Sequence, residues 1–379
     1  MRTKATRPGL SARIAHGILG LLVLHVALCH LPLPSFALWK ARLVAKELTL
    51  IAAALAVVGV VLARTHLVRG LCLSLGCWAV RPLLIGWPLF ALAHGSFSME
   101  EYLTGAPATP VPVERDVILE PSRPDLQVDV YRGSGDLPRP FALVVHGGSW
   151  QRGDKGEVAT VSRALAVAGV TVFDVRYRLA PQHRFPDAVA DVKCLLGRLR
   201  EQAGKYGVAP ERAALIGRSA GGQIVLVAGY SEGSRLIPPS CAVADAPVRA
   251  VAAIYPCTDL AYVYENVPFP DLLDSRDTLT KYLGGSPVEQ LEAYRLATPM
   301  TWVEKAGSRQ LPRTLLLHGL DDLLVRPYHS ERLYDALVRN GQTATLLGIP
   351  AADHGFDFRS GGIGEQIERA AILDLARRL

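Results

Sequence analysis

From Val113 onward short β-rich runs alternate with helical stretches, and this change of period constrains the fold more than any other feature of the chain. The runs fall at 113–119, 127–131, 140–145, 170–175, 213–217, 248–255, 314–318 and 343–348, and helical patterns occupy 158–168, 187–206, 220–230, 329–340 and 363–379. Strands separated by helices of this length pair through crossovers, which predicts an α/β protein with a mainly parallel sheet and helices on both faces. The first two runs are too close together for a crossover helix, so that edge is expected to be antiparallel. Residues 259–300 break the rhythm with Asp-, Pro-, Tyr- and Leu-rich turns, and read as an insertion able to cap a cleft.

The first quarter is of another kind. Ile14–Leu31 has no Lys, Arg or acid, Leu48–Ala63 is nearly pure Ala, Val, Leu and Ile, and Leu67–Ala93 is apolar apart from Arg69 and Arg81-Pro82. About 20 apolar residues cross a bilayer, so the first two stretches qualify with short spans. The third qualifies if Arg81 reaches an interface or a protein partner. Three crossings is the preferred reading and two the rival. A signal peptide is the alternative for the first stretch, given Arg2, Lys4, Arg7 and Arg13 and a small-x-small site at Ser35-Phe36-Ala37. Cleavage there would leave the second stretch in place, so membrane attachment is expected on either reading. The basic N-terminus favours a cytoplasmic start, with the α/β region outside after three crossings and cytoplasmic after two. Lys40, Arg42 and Lys46 in the first loop weigh against the former.

Charge follows the same division. Residues 1–100 hold ten Lys/Arg and two acids, whereas the rest holds 31 and 33, so the net +6 belongs to the apolar quarter. A nearly neutral folded region argues against nucleic-acid binding. Six cysteines without a C-x-x-C pair signal neither a disulfide framework nor a zinc site. Residues 96–112, Pro-rich and small toward their end, read as an extended linker.

Chemistry concentrates after β-runs. Gly217-Arg218-Ser219-Ala220-Gly221-Gly222 follows the apolar run Ala213–Ile216 and opens a helical one. A serine on such a turn is held in strained backbone, its hydroxyl at a helix N-terminus where N–H groups receive developing negative charge. A glycine-rich turn with a serine cap is the plainer reading of this motif in isolation. Three further pieces oppose it. Phe141–Val145 ends in His146-Gly147-Gly148-Ser149-Trp150, whose backbone N–H groups suit an oxyanion. Thr314–Leu317 runs into His318-Gly319-Leu320-Asp321-Asp322, placing an acid at a strand's carboxyl end, and Asp353-His354-Gly355-Phe356 follows the 343–348 run.

Serine, acid and histidine in this order resemble an α/β-hydrolase of the esterase/lipase kind over residues 113–379, close to the hormone-sensitive-lipase-like and carboxylesterase-like groups. The HGG-x-W form with Arg152-Gly153-Asp154-Lys155 is also similar to kynurenine formamidases and prenylcysteine methylesterases. Tyr177-Arg178-Leu179-Ala180-Pro181 and Phe185-Pro186-Asp187-Ala188 match a stretch common to these groups, read as support for a turn. The resemblance implies Ser219 as nucleophile, Asp322 as acid, and His354 as base, with Gly147, Gly148 and Ala220 supplying the oxyanion hole. Family spacing favours Asp322 over Asp321, and the late-loop position favours His354 over His183 and His329. Two residues depart from the pattern. Ser149 replaces the third glycine of the frequent HGGG form, and Arg218 stands where many relatives have Asp or Glu.

The expected organisation is therefore a membrane anchor in 1–95, a linker in 96–112 and a hydrolase in 113–379 able to stand alone. The expected activity is hydrolysis of a small-molecule or lipid ester, with no metal or organic cofactor. Acyl transfer to a membrane acceptor and a non-catalytic ligand receptor are the alternatives, and the filled serine, acid and histidine positions count against the receptor.

Overall fold

The apolar side chains of the N-terminal helices divide between those packed against a partner helix and those left exposed. The computed structural model describes residues 9–31, 35–106, 109–157, 159–269 and 271–379. Arg2, Lys4 and Arg7 of the basic N-terminus, Pro107-Ala108 of the Pro-rich stretch, Val158 and Pro270 lie outside the described residues. The chain separates into two compact units, Met1–Pro88 and Leu89–Leu379.

The first unit contains α1 (Leu10–His30), α2 (Phe36–Glu47), α3 (Thr49–Leu62) and most of α4 (His66–Leu92). At 1.5 Å per residue α1 is about 32 Å long and α4 about 40 Å, against a hydrocarbon core of about 30 Å. Both are long and apolar enough to cross a membrane. The second expected span is divided: α3 has 14 residues and meets α2 at 65°, so the pair counts as one broken span or a re-entrant loop. α4 continues unbroken through Arg81-Pro82. Inside the unit the buried residues are small, with Ala15, Ala52, Ala56 and Cys72 around Ile18 and Leu22. Leu24, Val57, Val61, Leu67 and Leu73 point outward.

The second unit is built on an eight-stranded sheet. Each expected run is a strand: β1 (Val113–Ile118), β2 (Gln127–Tyr131), β3 (Arg139–Val145), β4 (Thr171–Val175), β5 (Val208–Arg218), β6 (Ala250–Ile254), β7 (Arg313–Gly319) and β8 (Ala344–Ile349). The order is β1-β2-β4-β3-β5-β6-β7-β8. β1 and β2 pair antiparallel, as does β2 with β4, and every later pairing is parallel. Side chains alternate across the sheet. Phe141, Leu143 and Val145 of β3 enter one core while Ala142 and Val144 enter the other.

Helices cover both faces. α6 (Ala159–Val167) and α15 (Ile363–Arg377) lie on one. On the other lie α7 (Asp187–Glu201), with the short α8 (Ala203–Tyr206) after it, and α9 (Ala220–Tyr230). Between β6 and β7 the expected insertion contains α10 (Leu260–Glu265), α11 (Ser275–Leu283) and α12 (Leu291–Ala297), followed by α13 (Pro299–Ala306). α14 (Tyr328–Arg339) joins β7 to β8.

Two expectations are corrected. Residues 96–112 are not simply an extended linker, because 99–104 form α5 (Met99–Thr104). Ser98 caps it, its Oγ accepting the Glu101 N–H at 3.2 Å, an arrangement worth about 1 kcal/mol. Tyr102 is fully buried, and Phe97 packs with Phe90 and Tyr102. The Pro-rich composition that suggested a linker begins only beyond this helix. The compact unit correspondingly begins at Leu89 rather than 113, and Phe90 and Ala93 join the core under α15. The second correction is a disulfide between Cys194 of α7 and Cys241, with Cα atoms 5.4 Å apart. A separation of 47 residues leaves no local pattern from which to read it.

Candidate active site

A strand that must turn at once into a helix leaves one residue in a backbone conformation that neither element favours, and Ser219 occupies that position. It lies between β5 and α9 at φ +51° and ψ −118°, a conformation rare for a residue with a side chain. Its N–H donates to the Ile254 carbonyl at 2.9 Å, fixing the turn against β6. Gly221 permits the tight approach of α9, since a Cβ there would meet the carbonyl oxygens of Val145 and His146.

Ser219 Oγ lies 3.0 Å from His354 Nε2, and His354 Nδ1 lies 2.8 Å from Asp322 Oδ2. Asp322 is buried, and its other oxygen accepts the N–H groups of Leu324 and Val325 at 2.9 and 2.8 Å. Burial alone would raise the Asp322 carboxyl, but His354 and His318 hold it well below the usual carboxylate range. Burial likewise opposes protonation of His354, yet the Asp322 carboxylate holds that ring above the ordinary histidine value. The His318 imidazole bonds to Ser330 Oγ at 2.7 Å and to the Val325 carbonyl at 2.9 Å, bracing the turn that presents Asp322.

The competing residues sit elsewhere. Asp321 is one position removed, its N–H donating to the Ala352 carbonyl at 2.9 Å. His183 lies 3.2 Å from Asp187. His329 is buried and accepts the N–H groups of Thr258 and Asp259 at 3.3 Å each, and burial lowers its pKa to about 3.

The loop after β3 comes against the serine turn at Gly147, where a Cβ would stand 3.3 Å from that of Ser219. Gly148 follows with φ +109°, and Ala220 is the first residue of α9, whose opening N–H groups have no acceptor within the helix. The loop is anchored beyond the glycines. Lys155 pairs with Asp116 at 2.6 Å and Asp129 at 3.2 Å, and the Gly156 N–H donates to Asp174 at 3.0 Å. Tyr177 stacks on His146 at 4.3 Å, and Arg178 forks onto Asp191 with bonds of 2.8 and 2.9 Å. These contacts tie the Tyr177–Pro181 stretch to the glycine loop and to α7.

Sequence reasoning missed several residues around this group. Gln223 accepts from Trp150 Nε1 at 2.9 Å and from the Tyr282 hydroxyl at 3.2 Å, while its amide donates to the Ala297 carbonyl at 2.7 Å. Trp150 and Tyr282 stack at 4.4 Å, so the insertion is tied to the glycine loop. A polar side chain four residues after Ser219, in an otherwise apolar helix, was the available signal. Tyr255 lies 4.3 Å from the His354 ring and donates to Asp357 at 2.6 Å. Glu120 lies beside Cys194 and Cys241, but those sulfurs are joined to each other and Glu120 pairs with Arg198.

An eight-stranded, mostly parallel sheet with a strained serine turn and a histidine after the last strand defines an α/β hydrolase. The BD-FAE family is matched over residues 128–337, more than half the chain, and the chain belongs to that family. Esterase LipC of Mycobacterium tuberculosis is 29% identical over 260 residues, covering 66% of this chain and 61% of that protein. A probable isoprenylcysteine alpha-carbonyl methylesterase, ICMEL1 of Oryza sativa subsp. japonica, is 29% identical over 220 residues, covering 57% and 51%. The chain thus spans between half and two thirds of the length of these curated relatives. Among solved structures, esterase B of Lactobacillus rhamnosis superposes with a TM-score of 0.60 at 19% identity, covering 79% of this chain and 96% of that one. That likeness is one of fold.

Proposed function

We propose that this chain is a membrane-anchored serine hydrolase of carboxylic esters. The observation that carries the reading is the hydrogen-bonded series Ser219–His354–Asp322 on a strained turn beside the Gly147 loop. In this mechanism His354 takes the Ser219 proton as Oγ attacks the ester carbonyl, while Asp322 orients the ring and stabilises the imidazolium. The N–H groups of Ala220, Gly147 and Gly148 receive the oxyanion of the tetrahedral intermediate. His354 then gives the proton to the departing alcohol, leaving an acyl group on Ser219. Water, deprotonated by the same imidazole, releases it. Esterase and methylesterase names among the relatives support ester hydrolysis.

The anchor is α1, α4 and the bent α2–α3 pair, three crossings from a cytoplasmic N-terminus, with the hydrolase on the far side. The outward-facing leucines and valines support the insertion. The Cys194–Cys241 bridge supports that sidedness, because disulfides persist in oxidising compartments. Substrates are small or lipid esters.

A fluorophosphonate probe tests the chemistry and the side together. The native protein is expected to be labelled by a membrane-impermeant probe on intact cells, and Ser219→Ala not at all. Ser219→Ala is also expected to lose about 10⁴-fold or more in turnover of a short activated ester. Turnover within about tenfold of native removes Ser219 from the mechanism. Labelling only after lysis reverses the sidedness.

A further inference from the structure

The residue before Ser219 carries a positive charge into the interior, and its surroundings account for what it does. Arg218 ends β5 with its side chain buried. Its Nε lies 2.6 Å from Asp357 Oδ2, and its Nη2 lies 2.7 Å from Glu368 Oε1. Both carboxylates are fully buried. Asp357 belongs to the loop that carries His354, and Glu368 to α15, so one guanidinium joins the serine turn to the histidine loop and the last helix. The other oxygen of Asp357 accepts the Tyr255 hydroxyl at 2.6 Å. Tyr255 directly follows β6, whose Ile254 carbonyl fixes the Ser219 N–H, and its ring touches those of His354 and Phe356 at 4.3 and 5.3 Å.

We propose that Arg218 is a positioning residue of the hydrolase, holding Ser219 and His354 in hydrogen-bonding register through Asp357 and Tyr255. The proposal rests on the reading of Ser219 and His354 as nucleophile and base. Arginine suits the place because its planar fork reaches two carboxylates at once, whereas a lysine is a point charge. Burial pushes Glu368 up to about 8, against the pull of Arg218. An acid at position 218 would meet Asp357 and Glu368 as a third buried carboxyl. The arginine at 218 and the acids at 357 and 368 therefore belong together. Small errors of placement cost rate rather than affinity, since the attack geometry is met only in the transition state.

The test uses the full-length protein in detergent with a water-soluble p-nitrophenyl ester, measuring kcat and KM separately and thermal midpoint alongside. Arg218→Met is expected to lower kcat about 30-fold with KM within about threefold, and Arg218→Lys to recover part of that loss. Tyr255→Phe keeps the ring but not the bond to Asp357, leaves no charge unpaired, and is expected to lower kcat about fivefold. If Arg218→Met does not fold, the other two variants decide. Native-like kcat in both, within about twofold, overturns the proposal, as does a loss confined to KM. Ser219→Ala in the same assay separates the failures. An active Ser219→Ala overturns the underlying reading, whereas an inert one beside native-like Arg218→Lys and Tyr255→Phe overturns this proposal alone.

Discussion

The two units use the same apolar residues in opposite directions. In Met1–Pro88 the large side chains face out, with Val61 72% and Leu67 73% exposed, and the interior is lined mainly by alanine. In Leu89–Leu379 the large side chains face in, with Phe141, Leu215 and Phe173 fully covered. In water only the second arrangement removes apolar surface from solvent. Between helices in lipid the tails are as apolar as leucine, so small residues that allow close backbone approach decide the packing. Charge divides in the same way: the second unit buries ion pairs such as Arg218 with Asp357 and Arg178 with Asp191. All the ester chemistry proposed for this chain draws on the second unit, and substitutions in the two units are expected to differ in their effects accordingly.

The largest of these effects is expected at the acid. Asp322→Asn keeps the shape of the side chain but removes the charge that orients and stabilises His354, and kcat is expected to fall about 10³- to 10⁴-fold. Asp321→Asn, one residue away and not bonded to the imidazole by its side chain in the series above, is expected to stay within about threefold. Steady-state kinetics on a short ester decides between them. The opposite order would assign the acid's role to Asp321.

Truncation tests where the second unit begins. α5 and the residues flanking it contact both the loop after His354 and α15. Ser360 Oγ accepts the Ala106 N–H at 3.1 Å, Arg359 lies 4.5 Å over the Tyr102 ring, and Gln366 exchanges bonds of 2.7 and 3.0 Å with Ser98. Arg369 pairs with Glu101 and, at 2.9 Å, with Glu365. A chain starting at Leu89 is expected to be soluble and active on water-soluble esters. A chain starting at Val113 loses the buried Phe90, worth about 1.5–3 kcal/mol, with the buried Tyr102 and the half-buried Phe97, and is expected to aggregate or lose most of its activity. Size-exclusion chromatography with ester hydrolysis reads both. Equal stability and activity in the shorter chain would reduce α5 to a tether.

What the sequence made legible, and what it hid, follows the range of the interactions. All eight strands were readable because each is a local run of β-formers bounded by turns, and the serine, acid and histidine stand just beyond strand ends. The partners of Arg218 were not, since Asp357 and Glu368 are 139 and 150 residues away and carry no motif. The Cys194–Cys241 bridge depends on a chain path that no spacing rule reveals. α5 was overlooked because a Pro-rich neighbour dominated the composition, although Ser98 followed by Glu100 and Glu101 is a helix-start signal.

The disulfide belongs to the second unit alone, and its removal is expected to act on stability while sparing the chemistry. Closing a loop of 47 residues constrains the unfolded chain by about 2–4 kcal/mol. Cys194→Ser with Cys241→Ser is expected to lower the thermal midpoint of the hydrolase by several degrees, with kcat within about twofold at 25 °C. Unchanged melting of the native protein with and without reductant would argue that the bridge is absent in the native protein, and would withdraw its support for an oxidising location.

The smallest expected effect is that of Gly59→Ala, set beside the same substitution at Gly221 in the other unit. A Cβ added at Gly221 meets the carbonyl oxygens of Val145 and His146, backbone atoms at the end of β3 that cannot withdraw without distorting the strand and the glycine loop. Gly221→Ala is therefore expected to cost about 100-fold in kcat by displacing Ser219. A Cβ at Gly59 would stand 2.8 Å from Cys72 Sγ and 3.0 Å from Ile18 Cγ2, both side-chain atoms that can shift by rotation. Gly59→Ala is expected to loosen the helices slightly, raising extraction by mild detergent, while kcat on a water-soluble ester stays within about twofold. On the proposed reading the first unit contributes location alone, and a clash there reaches only helix–helix contacts. A tenfold fall in kcat for Gly59→Ala, in protein that still labels fully with fluorophosphonate, would mean that packing among the apolar helices sets the rate of the hydrolase, and the separation of the two units would fail.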